Sequence, residues 1–237
     1  MIRERLAISS PLSTTAGRVT QVRSIKWSIL KTDRSLPHFG RKLYHMLSGL
    51  ICVALYAFVF NREQTLLILS GVGGIWIAAD LLRLRVPAIN NLTMQLFGRI
   101  MRREELKRLS ANTFYILGMY FVVFFFSKPV VLLSVLCLAV GDPVAAVVGT
   151  LVGRHPLVGK KSLEGAVANF LITGSAIFLM GLVYFQLSLE RGLVLAGIGG
   201  LVSVFAELTP LPVNDNFSIP LIAGTLFTLV NAILPLF

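Results

Sequence analysis

Residues 130–143 read Val-Val-Leu-Leu-Ser-Val-Leu-Cys-Leu-Ala-Val-Gly-Asp-Pro, an apolar run that ends in an acidic residue and a proline. From Val130 to Asp142 a helix would rise about 18 Å, well short of the ~30 Å hydrocarbon core of a bilayer. Asp142 is therefore predicted to lie inside the membrane, where a carboxylate costs about 2.5–3.5 kcal/mol. Because packing alone seldom justifies such a cost, Asp142 is a candidate functional residue.

Pro143 adds a second irregularity to this run. Proline has no N–H and disfavours the helical conformation in the residue before it. The fourth apolar run is therefore predicted to be a helix that is kinked or broken at Gly141-Asp142-Pro143. Backbone groups freed at that depth need a protein-lined or water-filled cavity. The sequence thus predicts a polar cavity that opens towards the cytoplasm.

The composition places this cavity in an all-α polytopic membrane protein. Of 237 residues, 55% are hydrophobic and 14% are charged, and the mean hydropathy is +0.79. A soluble domain would carry about 25% charged residues. Apolar runs of membrane-spanning length predict about seven transmembrane helices, of which the third is short and needs tilt or local thinning of the bilayer. The runs are 44–60, 65–82, 112–126, 130–149, 165–185, 192–208 and 217–236.

The basic residues are distributed unevenly between the two ends of these helices. With seven spans, 1–43, 83–111, 150–164 and 209–216 fall on one side and contain 19 of the 22 lysines and arginines. Cytoplasmic loops carry such an excess. We therefore expect a multi-pass integral membrane protein with a cytoplasmic N-terminus and site and with its C-terminus opposite. The net charge of +11 is explained by topology and by attraction to membrane lipids, and nucleic acid is not expected as a partner.

Two domains are predicted: a basic cytoplasmic or interfacial segment at 1–43 and a transmembrane domain at 44–237. Each side of this boundary contains a candidate amphipathic helix that would lie on an anionic membrane surface. An exposed helical face is the alternative for the second helix. The apolar positions of the two helices are Val22, Ile25 and Ile29 in the first, and Ile89, Leu92, Leu96 and Ile100 in the second.

Basic residues and glycines follow Asp142. Arg154, Lys160 and Lys161 stand in a loop punctuated by glycines, ahead of Ser162 and Glu164. Cations before a helix N-terminus suit an anion such as a polyphosphate. A basic loop that only fixes topology is the alternative.

Further carboxylates lie near the same predicted face. Asp142, Glu207 and Asp215 would converge if their three segments pack together, and carboxylate oxygens suit Mg²⁺, which also binds phosphate oxygens. For Asn214-Asp215-Asn216, a turn and N-cap that open the last helix are the simpler interpretation.

Two other polar residues mark span ends at this face. His45 could orient a substrate hydroxyl or could extend towards lipid headgroups. Asp80 could be an interfacial residue or could pair with Arg83.

In chain order, five motifs together resemble the CTP-dependent lipid kinase family, which includes dolichol kinase, phytol kinase and the yeast-type diacylglycerol kinase. They cover most of the chain after residue 40. The motifs are Arg41-Lys42-Leu-Tyr-His45 with Gly49, Thr113-Phe-Tyr-Ile-Leu-Gly118, Gly141-Asp142-Pro143 through Gly153-Arg154, Lys160-Lys161-Ser162-Leu-Glu164-Gly165, and Glu207 through Asp215-Asn216-Phe-Ser-Ile-Pro220.

The resemblance implies transfer of the γ-phosphate of a nucleotide, usually CTP, to the hydroxyl of a lipid alcohol, with a divalent metal such as Mg²⁺. The acceptor could be a polyprenol such as dolichol, a phytol-like alcohol or diacylglycerol. The implied kinase domain is 44–237. The residues carried over are Asp142, His45, Lys160 and Lys161 for catalysis; Arg154, Lys160, Lys161, Ser162, Glu164 and Asn216 for the nucleotide; and Asp142, Glu207 and Asp215 for the metal.

Two other functions are consistent with a membrane chain of this kind. A phosphatidate cytidylyltransferase also combines CTP with a membrane lipid, but the His-Gly-Gly element typical of that family is missing from the sequence. A small transporter could use the broken fourth helix as a binding site near the midplane. The sequence shows no second broken segment related to it by a repeat.

Overall fold

The fold is all-helical, as predicted, in a computed structural model that describes residues 39–97, 101 and 103–237. The described residues form no β-strand beyond an isolated bridge between Pro156 and Ser162. The predicted helix around Val22–Ile29 lies outside the described residues, as does Ile100. The helices in chain order are α1 (Phe39–Phe58), α2 (Arg62–Arg85), α3 (Pro87–Phe97), α4 (Ala111–Phe125), α5 (Lys128–Leu136), α6 (Asp142–Val152), α7 (Leu163–Val183), α8 (Leu189–Leu208) and α9 (Asp215–Ile233).

Every predicted span is a helix, and five helical segments in the described chain are long and apolar enough to cross a membrane. These five are Arg62–Arg85, Lys128–Val152, Leu163–Val183, Leu189–Leu208 and Asp215–Ile233. The chain is thus an integral membrane protein. Helix α4 is the short apolar helix that was expected, and α1 begins with a polar turn that contains Arg41 and Lys42. A total of seven spans stays a prediction.

Polar residues cap the starts of five helices. In each of the five a side-chain oxygen accepts a hydrogen bond from a backbone N–H of the first turn, which has no partner within the helix. This confirms the predicted N-cap at Asn214. The caps are Asn61 for α2, Ser110 for α4, Ser162 for α7, Ser188 for α8 and Asn214 for α9.

The segment Lys128–Val152 is the centre of the bundle, and 78% of its most apolar stretch is buried. The predicted break at Gly141-Asp142-Pro143 does not occur, because Asp142 keeps a right-handed helical conformation (φ −61°, ψ −46°). Instead, Cys137–Gly141 is a π-helical segment between α5 and α6. Pro143 lies in the first turn of α6, where a missing N–H is tolerated. The irregularity beside Pro143 is therefore a π-helical segment inside a continuous helix, and not a break.

Helix α3 is the described part of the second predicted amphipathic helix. None of its residues is buried, and Leu92 and Leu96 are 54% and 66% exposed. A 3₁₀ turn at Arg103–Leu106 follows before α4. A helix with an uncovered apolar stripe beside membrane spans is the expected form of an interfacial helix, and its place on the membrane stays a prediction.

The charge distribution predicts orientation, and residues between the helices provide the test. Positions 104 and 158 should be on the cytoplasmic side, whereas position 61, position 187 and the C-terminus should be opposite. Cysteines introduced at these positions and labelled with a membrane-impermeant maleimide would report the side of each. Labelling of positions 104 and 158 from opposite sides, or a cytoplasmic C-terminus, would contradict the predicted topology.

Candidate active site

Two cavities open at one end of the bundle and share a wall. The first, of about 380 Å³, we call the aromatic cavity because Tyr44, Trp76 and Phe97 line it together with polar groups. The second, of about 540 Å³, we call the basic cavity because Lys160 and Lys161 line it. The residues that line both are Arg41, Lys42, Asp142 and Asp215.

An ion pair between Lys42 and Asp142 lies in the shared wall. Lys42 Nζ donates to Asp142 Oδ2 at 2.5 Å, and the two side chains are only 15% and 13% exposed. The pair joins the first turn of α1 to the first turn of α6. A buried carboxylate of this kind needs a partner. The predicted polar cavity at Asp142 is confirmed as a feature of the structure.

Lys42 is the site residue that the analysis of individual residues overlooked. It appeared only within the motif Arg41-Lys42 that contributed to the resemblance. A signal was available, because an intramembrane Asp requires a counter-charge and Lys42 begins a span on the same predicted side. Lys42 and Asp142 are 100 residues apart in the sequence, and the sequence alone does not show that they are in contact.

His45 lies one turn after Lys42 and lines the aromatic cavity. Its ring makes an edge contact with Tyr115, with centroids 5.1 Å apart. Nε2 is buried and has no hydrogen-bond partner among the described residues. The imidazole is thus positioned by an aromatic neighbour and keeps one nitrogen for a further contact, so its predicted role in orienting a hydroxyl stays a prediction.

Lys161 connects the loop before α7 to the last two helices. Its ammonium donates to the backbone oxygen of Glu207 and lies 3.6 Å from Glu207 Oε1 and 3.7 Å from Asp215 Oδ2. Lys160 is exposed and lines the basic cavity. The structure therefore brings both lysines to the cavity that Asp142 borders.

The other residues of this loop that are predicted to bind the nucleotide, Ser162, Glu164 and Arg154, lie in different surroundings. Ser162 lines the basic cavity and caps α7 by accepting from Gly165 N at 3.2 Å. Glu164 instead contacts His155, whose Nδ1 lies 2.7 Å from Glu164 Oε1. Arg154 is exposed and is not part of either cavity lining. Glu164 and Arg154 thus shape or flank the loop, and their contact with a nucleotide stays a prediction.

The predicted metal ligands Asp142, Glu207 and Asp215 all line the basic cavity. Within the described ranges, however, no group of three or more His, Cys, Asp or Glu side chains is arranged as a metal site. Lysines neutralise these carboxylates instead, since Asp142 pairs with Lys42 and the other two flank Lys161. Asn216 faces the aromatic cavity, and its amide donates to the Ala111 backbone oxygen at 2.9 Å.

A buried polar network forms the wall of the aromatic cavity on the side of α2 and α4. Arg83 is 2% exposed, and its Nε donates to Asp80 Oδ1 at 2.6 Å, which confirms the alternative in which the two residues pair. Asp80 Oδ2 also accepts from Ser110 N and Thr113 Oγ1. Arg83 Nη1 and Nη2 donate to the backbone oxygens of Glu105 and Arg108. This network fixes the segment between α3 and α4 against α2.

The sequence of the chain is similar to those of several known proteins. The chain is 32% identical over 220 residues to "CTP-dependent diacylglycerol kinase 1" of Saccharomyces cerevisiae, covering 83% of this chain and 73% of that protein. It is 36% identical over 135 residues to the protein of the same name from Eremothecium gossypii, covering 56% of this chain and 42% of that protein. The chain belongs to the CTP-dependent lipid kinase family.

A plant relative widens the family beyond the fungal proteins. "Phytol kinase 1, chloroplastic" of Arabidopsis thaliana is 25% identical over 209 residues, covering 82% of this chain and 67% of that protein. No family model matches the chain, and no solved structure matches it. Membership makes the chain a membrane lipid kinase, in agreement with the resemblance that the five motifs carried. Membership in this family does not favour either alternative function, the phosphatidate cytidylyltransferase or the small transporter.

The ion pair in the shared wall can be tested without a substrate. Removing one partner of a buried pair leaves an uncompensated charge, so Lys42→Gln and Asp142→Asn should each lower the melting temperature in detergent. The double variant should be less destabilised than the sum of the two, with a coupling of about 0.5–3 kcal/mol. Lys107→Gln, at an exposed lysine, is the control and should change little. Strict additivity of the two single variants would show that the pair contributes no interaction energy.

Proposed function

We propose that this lipid kinase transfers the γ-phosphate of CTP to the hydroxyl of a lipid alcohol at the wall shared by the two cavities. The nucleotide phosphates would occupy the basic cavity, and the acceptor hydroxyl would enter from the aromatic cavity. The observation that supports this arrangement is that Lys42 and Asp142 line both cavities. A donor and an acceptor bound on either side of one carboxylate would meet there.

The basic cavity has the chemistry expected of a polyphosphate site. Lys160, Lys161 and Arg41 supply cations, and charge-assisted hydrogen bonds are the strong ones. Its wall between α6 and α7 is built from small residues, and a Cβ on Gly165 would lie 2.6 Å from the Ala145 backbone oxygen. The two helices therefore approach closely, and the N-terminus of α7 faces the cavity.

The aromatic cavity has the amphipathic lining expected for a lipid alcohol. Aromatic rings from α1, α2 and α3 surround an opening whose far end is polar, at His45 and Asp142. Relatives named diacylglycerol kinase and phytol kinase make diacylglycerol and phytol the first acceptors to test, with a polyprenol as the third. The acyl or isoprenoid chain would extend from the cavity into the membrane.

Phosphoryl transfer requires mainly positioning and neutralisation of charge. Asp142 would accept the proton of the lipid hydroxyl, held in place by Lys42, while His45 orients the oxygen. That oxygen forms a bond to the γ-phosphorus as the bond from phosphorus to the β-bridging oxygen breaks, so the products are a lipid phosphate and CDP. Lys160, Lys161 and Ser162 would hold the phosphates in the basic cavity. Arg154 and Glu164 line neither cavity and Asn216 lines the aromatic one, so these three are proposed to contact parts of the nucleotide that extend beyond the basic cavity.

The residues present fit a magnesium ion that is held partly by the nucleotide. Glu207 Oε2 is buried and has no partner in the described part of the chain, and Asp142 and Asp215 line the same cavity. Mg²⁺ prefers one or two carboxylates together with phosphate oxygens and waters. One or two of the carboxylates of Asp142, Glu207 and Asp215 would bind the ion together with phosphate oxygens, and the ion would neutralise charge on the transferred phosphate.

The proposed domain organisation and orientation follow from the position of the site. The kinase domain, predicted as 44–237, would also include the start of α1, because Arg41 and Lys42 line both cavities. The residues before α1 in the predicted segment 1–43 would be a basic cytoplasmic or interfacial segment. The site would open to the cytoplasm, where the nucleotide is available. The membrane lipids around the chain would supply the acceptor.

The reaction can be identified by its products. Purified protein in mixed micelles with labelled CTP should release CDP and form a phosphorylated lipid with at least one of diacylglycerol, phytol or a polyprenol. ATP and reactions without lipid serve as controls. With phosphatidate in place of the alcohol, release of pyrophosphate and formation of CDP-diacylglycerol would instead identify a cytidylyltransferase, and nucleotide-independent uptake by vesicles would identify a transporter.

A role of Lys160 and Lys161 in binding phosphate can be distinguished from a general effect of positive charge by comparison with a lysine elsewhere in the chain. Each charge-assisted contact to a phosphate is worth about 1.5–3 kcal/mol, so Lys160→Gln with Lys161→Gln should raise the Michaelis constant for CTP or lower turnover strongly. Lys107→Gln removes an exposed lysine that lines neither cavity and should do little to either. Equal, small kinetic effects in the two variants would mean that the loop lysines only set topology.

A further inference from the structure

A polar pair is buried between α7 and α8, away from both cavities. Asn169 and Ser203 are each 0% exposed. Ser203 Oγ donates to Asn169 Oδ1 at 2.7 Å, and Thr173 Oγ1 donates to the same oxygen at 2.9 Å. An amide and a hydroxyl in an apolar bundle cost free energy compared with apolar packing, even when they are hydrogen-bonded to each other. The pair is therefore expected to have a role besides filling space.

The pair lies against Gly141, the last residue of the π-helical segment. A Cβ at position 141 would lie 2.5 Å from both Asn169 Oδ1 and Ser203 Oγ, which is closer than side chains tolerate. Glycine therefore allows two polar groups from two helices to contact the backbone at this point. We call Asn169 and Ser203 the polar clamp.

The clamp and Lys42 contact different sides of one turn. Successive residues of a helix point about 100° apart, so Gly141 faces α7 and α8 while Asp142 faces α1. The Asp142 carboxylate accepts from Lys42 at 2.5 Å. The clamp packs against the backbone just before Asp142, and the carboxylate itself is bound by an ammonium.

We propose that Asn169 and Ser203 are positioning residues that set where the Asp142 carboxylate stands between the two cavities. This inference rests on the proposed function. A π turn departs from the regular hydrogen-bond ladder of the α-helix and is frequent at functional sites. Contacts from outside the helix are then needed to hold it in one place. Polar side chains also join transmembrane helices without any catalytic role, and the experiment is chosen to separate that role from positioning.

Asn169→Leu replaces the amide by two methyl groups on the same branched skeleton, and Ser203→Ala is a smaller change at the same contact. Each should lower turnover, the first by about 10²-fold, while the Michaelis constants for CTP and lipid stay unchanged. In the Asp142→Asn background the same substitutions should cause no further loss, because there is no carboxylate left to position. Ser134→Ala is the matched control, since Ser134 is also 0% exposed and donates within its own helix to the Val130 oxygen.

Full additivity with Asp142→Asn, or an equal loss in Ser134→Ala, would overturn the proposal and leave the clamp as a helix-packing feature. If wild-type protein phosphorylates no lipid alcohol, the proposed function fails, and the clamp is then judged by geometry. For that purpose Lys42→Cys and Asp142→Cys are introduced into a chain whose native Cys52 and Cys137 are replaced by Ala. The two new cysteines are joined by a short bifunctional thiol reagent, with the two single-cysteine chains as controls. Asn169→Leu should lower the yield of the cross-link, and an unchanged yield would overturn the proposal.

Discussion

A lysine and an aspartate from helices 100 residues apart meet where the bundle would otherwise be apolar, and the remaining features of the site depend on this contact. Lys42 and Asp142 each require the other, because a single charge at this depth would be uncompensated. Satisfying that requirement brings the first turn of α1 against the first turn of α6. The two cavities lie on either side of the wall that results.

The surrounding structure concentrates its polar residues at the same end of the bundle. The Asp80–Arg83 network fixes the wall of the aromatic cavity, and Lys161 holds α8 and α9 near the loop before α7. At the other end, Lys128 donates to the Ala57 backbone oxygen and lies over the Tyr56 ring, a contact that anchors α1 to α5. One end of the bundle is therefore stabilised by a simple cap, and the other contains charged groups arranged around open space.

Hydropathy was sufficient to locate the apolar helices, since each predicted run is helical and Asn214 caps α9 as its residue type suggests. The local rule for Pro143 failed, because a π-helical segment accommodated the proline without a break at Asp142. Distant partners were harder to predict. The Lys42–Asp142 pair and the aromatic lining from Trp76 and Phe97 depend on which helices pack together, and one sequence does not contain that information. Asp142 itself was predictable because a carboxylate within an apolar run is costly whichever residue turns out to be its partner.

The most direct measurement of the two-cavity arrangement is photoaffinity labelling of the wild-type protein with a CTP analogue and, separately, a lipid alcohol, each with a photoreactive group. Mass spectrometry of the cross-linked peptides would locate each label. The account predicts that the nucleotide labels the basic cavity, at 145–150 or 160–166, and that the lipid labels the aromatic cavity, at 76–97. Labelling of one common set of residues by both probes, or the reverse assignment, would contradict it.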